Sequence, residues 1–95
     1  MIERHISFAV LPERTAEFER FVAEQYRPPV LEMPGLLECS LLREAEHADR
    51  YQMVFRWATA EDAVAWRASE VHQALQPALN ALHSGMEIVA YVKVV

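Results

Sequence analysis

The chain has 95 residues, of which 53% are hydrophobic and 24% charged, a balance typical of one folded domain and not of a disordered chain. Its formal net charge is −5, its basic residues are scattered among acids, and no apolar stretch approaches the ~20 residues of a membrane helix, which argues against nucleic-acid binding and membrane insertion. Charged residues Glu3 and Arg4 interrupt any secretory signal, and Cys39 is the only cysteine, so the sequence predicts no intrachain disulfide and favours the cytoplasm.

The first segment of the chain alternates between apolar and polar residues from Ile2 to Leu11, which predicts a β-strand that Pro12 ends. One face of this strand carries Arg4 within an apolar row. The row consists of Ile2, Ile6, Phe8 and Val10, and the opposite face carries Glu3, His5, Ser7 and Ala9.

The period then becomes helical, and Thr15 is the expected N-cap. One face of this predicted helix carries Phe18, Phe21, Val22, Gln25 and Tyr26. Pro28 and Pro29 lack backbone donors, so we expect the helix to kink or end there.

Two strands are predicted after the Pro34-Gly35 turn, from Leu36 to Arg43 and from Tyr51 to Trp57. The acid-rich segment between them, Glu44 to Arg50, reads as the loop of an antiparallel hairpin. Side chains at 51, 53, 55 and 57 share the apolar face of the second of these strands.

The last third of the chain predicts helical structure and then a strand. Thr59 and Ser69 are each placed to cap a helix, and Pro77 predicts a bend or a restart in the second one. Gly85 suits a helix C-terminus. Met86 to Val95 then alternates as a final strand that is apolar on both faces.

This order of elements predicts a single α+β domain over residues 1–95, with the ferredoxin-like βαββαβ arrangement. A four-stranded antiparallel sheet would carry the helices on one face only. Because the last strand is apolar on both faces, the helix-free face needs cover too, and a second copy of the chain would supply it. The sequence therefore predicts a homodimer.

Four segments in this order resemble the antibiotic biosynthesis monooxygenase family, and together they span most of the chain. They are FAVLPERTAEFERF, MPGLLECSLLRE, YQMVFRWATAEDAVAW and SEVHQALQPALNAL. The resemblance implies a dimeric α/β barrel with a cavity between sheet and helices in each subunit. The family is functionally mixed, with cofactor-free oxygenases of anthrones and quinols beside haem-degrading enzymes, so the site residues must decide.

Asp62, Trp66 and His72 form the catalytic candidate. The first two are four residues apart and share a helix face, and the third follows the next cap. Anthrone-oxidising members carry Asn, Trp and Tyr at this spacing, and a later Arg that the last strand here lacks. The resemblance implies a base at His72, whose ordinary pKa near 6.5 suits proton abstraction, a wall at Trp66 and an orienting group at Asp62. The alternative is that Trp66 is ordinary core and His72 a half-exposed helix residue.

Haem and metal sites are not predicted. Haem-degrading relatives use an Asn on the first strand and a His ligand, and Ile6 and Gln76 occupy those positions here. The acidic loop with His47 lacks the spacing of a metal motif, and Cys39 has no basic neighbour, which indicates a buried structural thiol.

Five further residues are candidates for substrate binding, although core or interface positions would explain them as well. They are His5, Ser7, Tyr26, Phe18 and Tyr51.

The hypothesis that follows is a monooxygenase without metal or organic cofactor, acting with O₂ on a small aromatic polyketide, phenol or quinol. The alternatives are a non-catalytic small-molecule-binding or assembly domain that kept the fold, and an isomerase that needs a base but no oxygen.

Overall fold

The computed structural model describes all residues 1–95 and contains the predicted order of strands and helices. The strands are β1 (Ile2–Ala9), β2 (Leu36–Arg43), β3 (Arg50–Trp57) and β4 (Ser84–Val92). The helices are α1 (Thr15–Phe21), α2 (Arg27–Leu31), α3 (Ala60–Ala68) and α4 (Glu70–Asn80), with a 3₁₀ turn at Pro12–Arg14 and a π-helical turn at Val22–Tyr26. The ferredoxin-like α+β prediction is confirmed.

The four strands form one antiparallel sheet in the order β2-β3-β1-β4. Register is fixed by pairs such as Ile6 with Met53 in β3 and with Ile88 in β4. The apolar row of β1 and the odd-numbered side chains of β3 therefore face the helices, and a cluster of 17 buried residues fills the layer between. Strand β4 lies at the sheet edge, and every one of its residues is exposed.

The first helix continues through Pro28 and Pro29, where a kink or an end was predicted. The two prolines cannot donate to the carbonyls of Glu24 and Gln25, so the regular helical bonds are lost there. The chain accommodates this loss with a π turn, in which the Arg27 N–H donates to the Val22 carbonyl five residues back.

Helix capping follows the prediction at two positions and departs from it at two others. Thr59 accepts from the Asp62 N–H at 3.2 Å and Ser69 accepts from the His72 N–H at 3.1 Å, so both are N-caps as predicted. Thr15 instead lies inside α1, because the 3₁₀ turn has already started the helical path and its hydroxyl donates to the Pro12 carbonyl.

Gly85 does not end a helix, since α4 stops at Asn80 and β4 begins two residues earlier than expected. Its φ of +72° places this glycine in the left-handed region at the start of β4. Pro77 causes no restart, and α4 runs through it.

Candidate functional site

A cavity of about 120 Å³ lies between the sheet and the C-terminal helices. Strands β1, β3 and β4 form its floor, and the π turn, α3 and α4 form its walls. Most of the lining is apolar. Its aromatic side chains are Phe8, Tyr26, Phe55, Trp57, Trp66 and His72, and Arg4, Arg67 and Gln76 add further polar groups.

Ser69 holds Trp66 and His72 in fixed relation across the junction of α3 and α4. Its hydroxyl donates to the Trp66 carbonyl at 2.7 Å and accepts from the His72 N–H at 3.1 Å. The indole and imidazole rings consequently meet edge to face, with centroids 5.1 Å apart and planes at 71°. A single capping residue thus ends one helix, starts the next and positions both predicted site residues.

Tyr26 completes a group of three rings, and the π turn brings it there. Its ring lies 5.9 Å from that of Trp66 and 6.4 Å from that of His72, close to perpendicular in both cases. Burial raises the pKa of Tyr26 to about 12, so the phenol stays protonated at neutral pH. Tyr26 is the last residue of the π turn, and π turns are frequent at functional sites.

The imidazole of His72 is bonded on one nitrogen only. Its Nε2 lies 2.8 Å from the Gln76 amide nitrogen, while Nδ1 is buried without a hydrogen-bond partner of ordinary geometry, although the Arg67 backbone lies close enough to interact with the ring. Burial lowers the pKa of His72; the Arg67 backbone opposes this shift, and the Arg4 and Arg67 charges add to it. At neutral pH the ring is therefore uncharged.

The amide orientation of Gln76 decides what Nδ1 can do. An amide donating to Nε2 leaves Nδ1 as an unpaired N–H, which can only donate to a ligand. An amide accepting from Nε2–H leaves a free lone pair on Nδ1, which is the tautomer of a general base.

Trp66 also contributes an unpaired group to this region. Its Nε1 is buried and has no hydrogen-bond partner of ordinary geometry, although the Tyr26 hydroxyl lies close enough to interact with it. An unpaired buried donor costs roughly 1–3 kcal/mol. Two such atoms, Trp66 Nε1 and His72 Nδ1, on neighbouring rings beside one cavity are the pattern expected where a ligand supplies the missing partners.

Arg4 is a functional candidate that the sequence interpretation passed over. It is the one buried charged residue, 9% exposed, and it points from β1 into the cavity. Burial lowers the pKa of its guanidinium, and the Arg67 charge acts in the same direction. The signal was visible in the sequence, where Arg4 interrupts an otherwise apolar row.

Asp62 lies outside the cavity lining, at the start of α3. Its carboxylate accepts from the Thr59 hydroxyl at 2.9 Å while its N–H donates to the same oxygen at 3.2 Å. This reciprocal pair caps α3, so the structure does not bring Asp62 to Trp66 and His72. An orienting role for Asp62 stays a prediction.

Two of the proposed substrate-binding residues lie elsewhere in the core. Phe18 is fully buried, with ring centroids 5.5 Å from Phe8 and 4.9 Å from Tyr51. The Tyr51 hydroxyl donates to Glu19. Neither Phe18 nor Tyr51 lines the cavity beside His72.

His5 and Ser7 lie on the other face of the sheet. His5 Nε2 is 2.8 Å from a Glu3 carboxylate oxygen, and its ring lies 4.7 Å from Tyr91. Of the five proposed binding residues, only Tyr26 shares the cavity with His72.

No group of three or more His, Cys, Asp or Glu side chains is arranged to hold a metal ion, and no helix has the length and apolarity to span a bilayer. Gln76, at the position where a haem ligand was considered, is engaged with His72. Burial raises the pKa of the Cys39 thiol to about 11, which disfavours the reactive thiolate.

Residues 1–78 match the family described as "Antibiotic biosynthesis monooxygenase", and the chain belongs to that family. No curated protein matches the sequence at a significant level.

Solved structures share the fold over almost the whole chain. A protein from Bordetella bronchiseptica that carries the family's name is 28% identical, with a TM-score of 0.86 over 99% of this chain and 97% of its own. A similarly named protein from Nitrosomonas europaea is 16% identical, with a TM-score of 0.88 over 100% of both chains. A mutant of SnoaB, a cofactor-independent oxygenase from Streptomyces nogalater, is 23% identical, with a TM-score of 0.87 over 97% of this chain and 91% of its own. The last two, being so distant, establish the fold alone.

Proposed function

We propose that this protein is a cofactor-independent monooxygenase that oxidises a small aromatic phenol or quinol with O₂, using His72 as general base. The observation that carries the proposal is the unpaired, buried Nδ1 of His72 beside an aromatic-walled cavity. Membership of the family described as antibiotic biosynthesis monooxygenase supports the same class of reaction.

The chemistry requires little besides a base and a dry pocket. The step requires the Gln76 amide to be turned so that its oxygen, and not the nitrogen placed there in the structure, faces Nε2; His72 then carries a lone pair on Nδ1, removes a phenolic or benzylic proton and becomes imidazolium. The electron-rich carbanion then reduces O₂ and forms a carbon–oxygen bond. For a phenol oxidised at a ring carbon the balance is C₆H₅OH + O₂ → C₆H₄O₂ + H₂O, so one oxygen atom enters the quinone product and the other leaves as water.

Trp66 and Tyr26 would form the walls that hold the ring and exclude water. The cavity of about 120 Å³ favours a compact substrate. An apolar cavity of roughly 150 Å³ holds benzene, so this smaller and partly open cavity encloses at most one aromatic ring, with substituents reaching its opening, which favours a simple phenol or quinol over a three-ring anthrone.

Oxygen uptake tests the proposal directly. With a panel of quinols and phenols, we expect His72→Ala and His72→Gln to lower turnover by about 10²–10⁴-fold, the usual contribution of a general base. His47→Gln, in an exposed loop, is the matched control and should retain wild-type turnover. Equal rates in all variants would remove His72 from the mechanism.

A second candidate function is a non-catalytic small-molecule-binding domain, and the other Gln76 orientation favours it. If Gln76 donates to Nε2, His72 presents an N–H to a ligand oxygen and no base is available. Ligand binding without oxygen uptake for any substrate would then be the expected outcome.

The protein is also proposed to act as a homodimer in the cytoplasm. Half of the large hydrophobic side chains that are exposed belong to β4 and the residues after it. They are Met86, Ile88, Val89, Tyr91, Val92, Val94 and Val95. Such an apolar edge strand, with its free backbone donors and acceptors, is a surface that proteins normally cover.

A further inference from the structure

We infer that the cavity binds its aromatic ligand through a carboxylate held by Arg4, so that the substrate is an aromatic acid and not a neutral phenol. This inference rests on the proposed function for the reaction, but its test requires only binding.

Arg4 is a largely buried residue whose guanidinium still reaches open space, and the protein itself supplies no counter-ion for it. It is 9% exposed, and the five ion pairs of the molecule involve other residues. The cavity lining contains two arginines and no aspartate or glutamate. Buried charges in proteins are normally paired, because an unpaired one loses its hydration without compensation.

The sheet requires no charge at this position. Arg4 stands between Ile2 and Ile6 on the helix-facing row and pairs across the sheet with Phe55 and Ala90, none of which can balance a guanidinium. A methionine or leucine would pack there at lower cost. A bound anion that pairs with the guanidinium would explain why an arginine occupies this position.

The ligand group that pairs with Arg4 should already be ionised at neutral pH, before any reaction takes place. Arginine remains protonated at every physiological pH, so its partner should be ionised at neutral pH as well. Carboxylates are ionised there, whereas phenols, with a pKa near 10, are not. The guanidinium fork also matches a carboxylate in a bidentate pair, which a single phenol oxygen cannot form.

The rest of the lining suits the remaining parts of such a ligand. The rings of Tyr26 and Trp66 would face an aromatic ring, and His72 Nδ1 would be free for a hydroxyl on that ring. Exposed Arg67 at the cavity would add positive potential at the entrance. A phenol that bears a carboxylate satisfies all of these groups together.

Calorimetric titration with benzoate and with its neutral isostere benzamide tests the inference. We expect wild-type protein to bind benzoate about 10- to 100-fold more tightly than benzamide, the range of a hydrogen-bonded charge pair. Arg4→Met should abolish this preference. Arg20→Gln, which removes one exposed positive charge outside the cavity, is the matched control and should preserve the preference.

Thermal unfolding separates a lost ligand contact from a damaged fold. Arg4→Met should melt at the wild-type temperature or higher, because it removes an unpaired buried charge, and benzoate should no longer raise that temperature. A benzoate preference that survives in Arg4→Met, or no benzoate binding to the wild type, would overturn the inference. Benzoate binding that depends on Arg4, in a protein that consumes no oxygen, would sustain the inference and reject the monooxygenase proposal.

Discussion

Burial and two neighbouring arginines determine the charge state of His72. Burial lowers its pKa below the ordinary 6.5, the Arg67 backbone opposes the shift, and the charges of Arg4 and Arg67 reinforce it. The unfolded chain therefore binds this proton more tightly than the folded one. Folding stability contributed by His72 should be complete above about pH 6.5 and decline as the pH falls through the lower, folded value.

The same shift predicts the acid limb of the rate profile. If neutral His72 is the base, kcat/KM should fall as the pH drops through a value below about 6.5. Gln76→Glu would accept from Nε2–H, favour the base tautomer and raise the pKa, so the limb should move to higher pH. Gln73→Glu, exposed on the same helix, is the control and should leave the limb in place. A limb that does not move in Gln76→Glu would contradict the role given to the Gln76–His72 pair.

Sequence reasoning found some of these residues and missed others for identifiable reasons. Trp66 and His72 could be placed together because both flank a recognisable cap at Ser69. Asp62 shares a helix face with Trp66 by spacing, but its carboxylate is drawn back to Thr59 by hydrogen bonds that spacing does not reveal. Arg4 was visible as a charge in an apolar row, yet only burial without a partner marks it as a site residue.

At the scale of elements, the start of α3 provides a test of the capping geometry. Thr59→Ala should lower the free energy of unfolding by about 1 kcal/mol, because the Asp62 N–H loses its acceptor. Thr15→Ala is the matched control, since Thr15 caps nothing, and it should change stability by less than about 0.5 kcal/mol. Urea unfolding at one fixed protein concentration measures both, and equal losses would contradict the assignment.

Strands were easier to predict than helix details because their period of two is local. Alternation located β1, β2 and β3 to within two residues, and their antiparallel order followed from short connections. The π turn was not predictable in the same way, because prolines at 28 and 29 remove two donors but a kink, an end and a wider turn would each accommodate that loss. The prediction that Gly85 ends a helix was wrong, because a glycine with a positive φ can start a strand as well as end a helix.

At the scale of the molecule, the helix-free face is more polar than a core surface. Arg56 lies 3.1 Å from Glu38 and 3.5 Å from Glu3, and Glu3 contacts His5, so an ion-pair network covers its centre. Apolar exposure is concentrated instead at the β4 edge, where Val89 and Tyr91 share this face. A partner subunit would therefore bury an apolar edge beside a charged centre, and the network would set the alignment of the two copies.

This surface leads to the prediction for the oligomeric state. We expect the wild-type protein to sediment as a dimer at micromolar concentration and Val89→Lys to weaken the dimer by at least about 10-fold, because a lysine would place a charge in the apolar part of the interface. Val64→Lys introduces the same charge at an exposed valine of α3, on the helical side, and should remain dimeric; Val64 is 52% exposed and Val89 38%. Melting temperatures of the wild type and Val64→Lys should rise with protein concentration, and that of Val89→Lys should rise less over the same range. A wild-type monomer across the micromolar range, or equal weakening by both lysines, would show that β4 does not form the contact.

The cavity opens between β1, β4 and the helices, so Val89→Lys also tests whether dimerisation is needed for benzoate to bind. Unchanged benzoate binding by the monomeric fraction of this variant would place the whole site within one subunit.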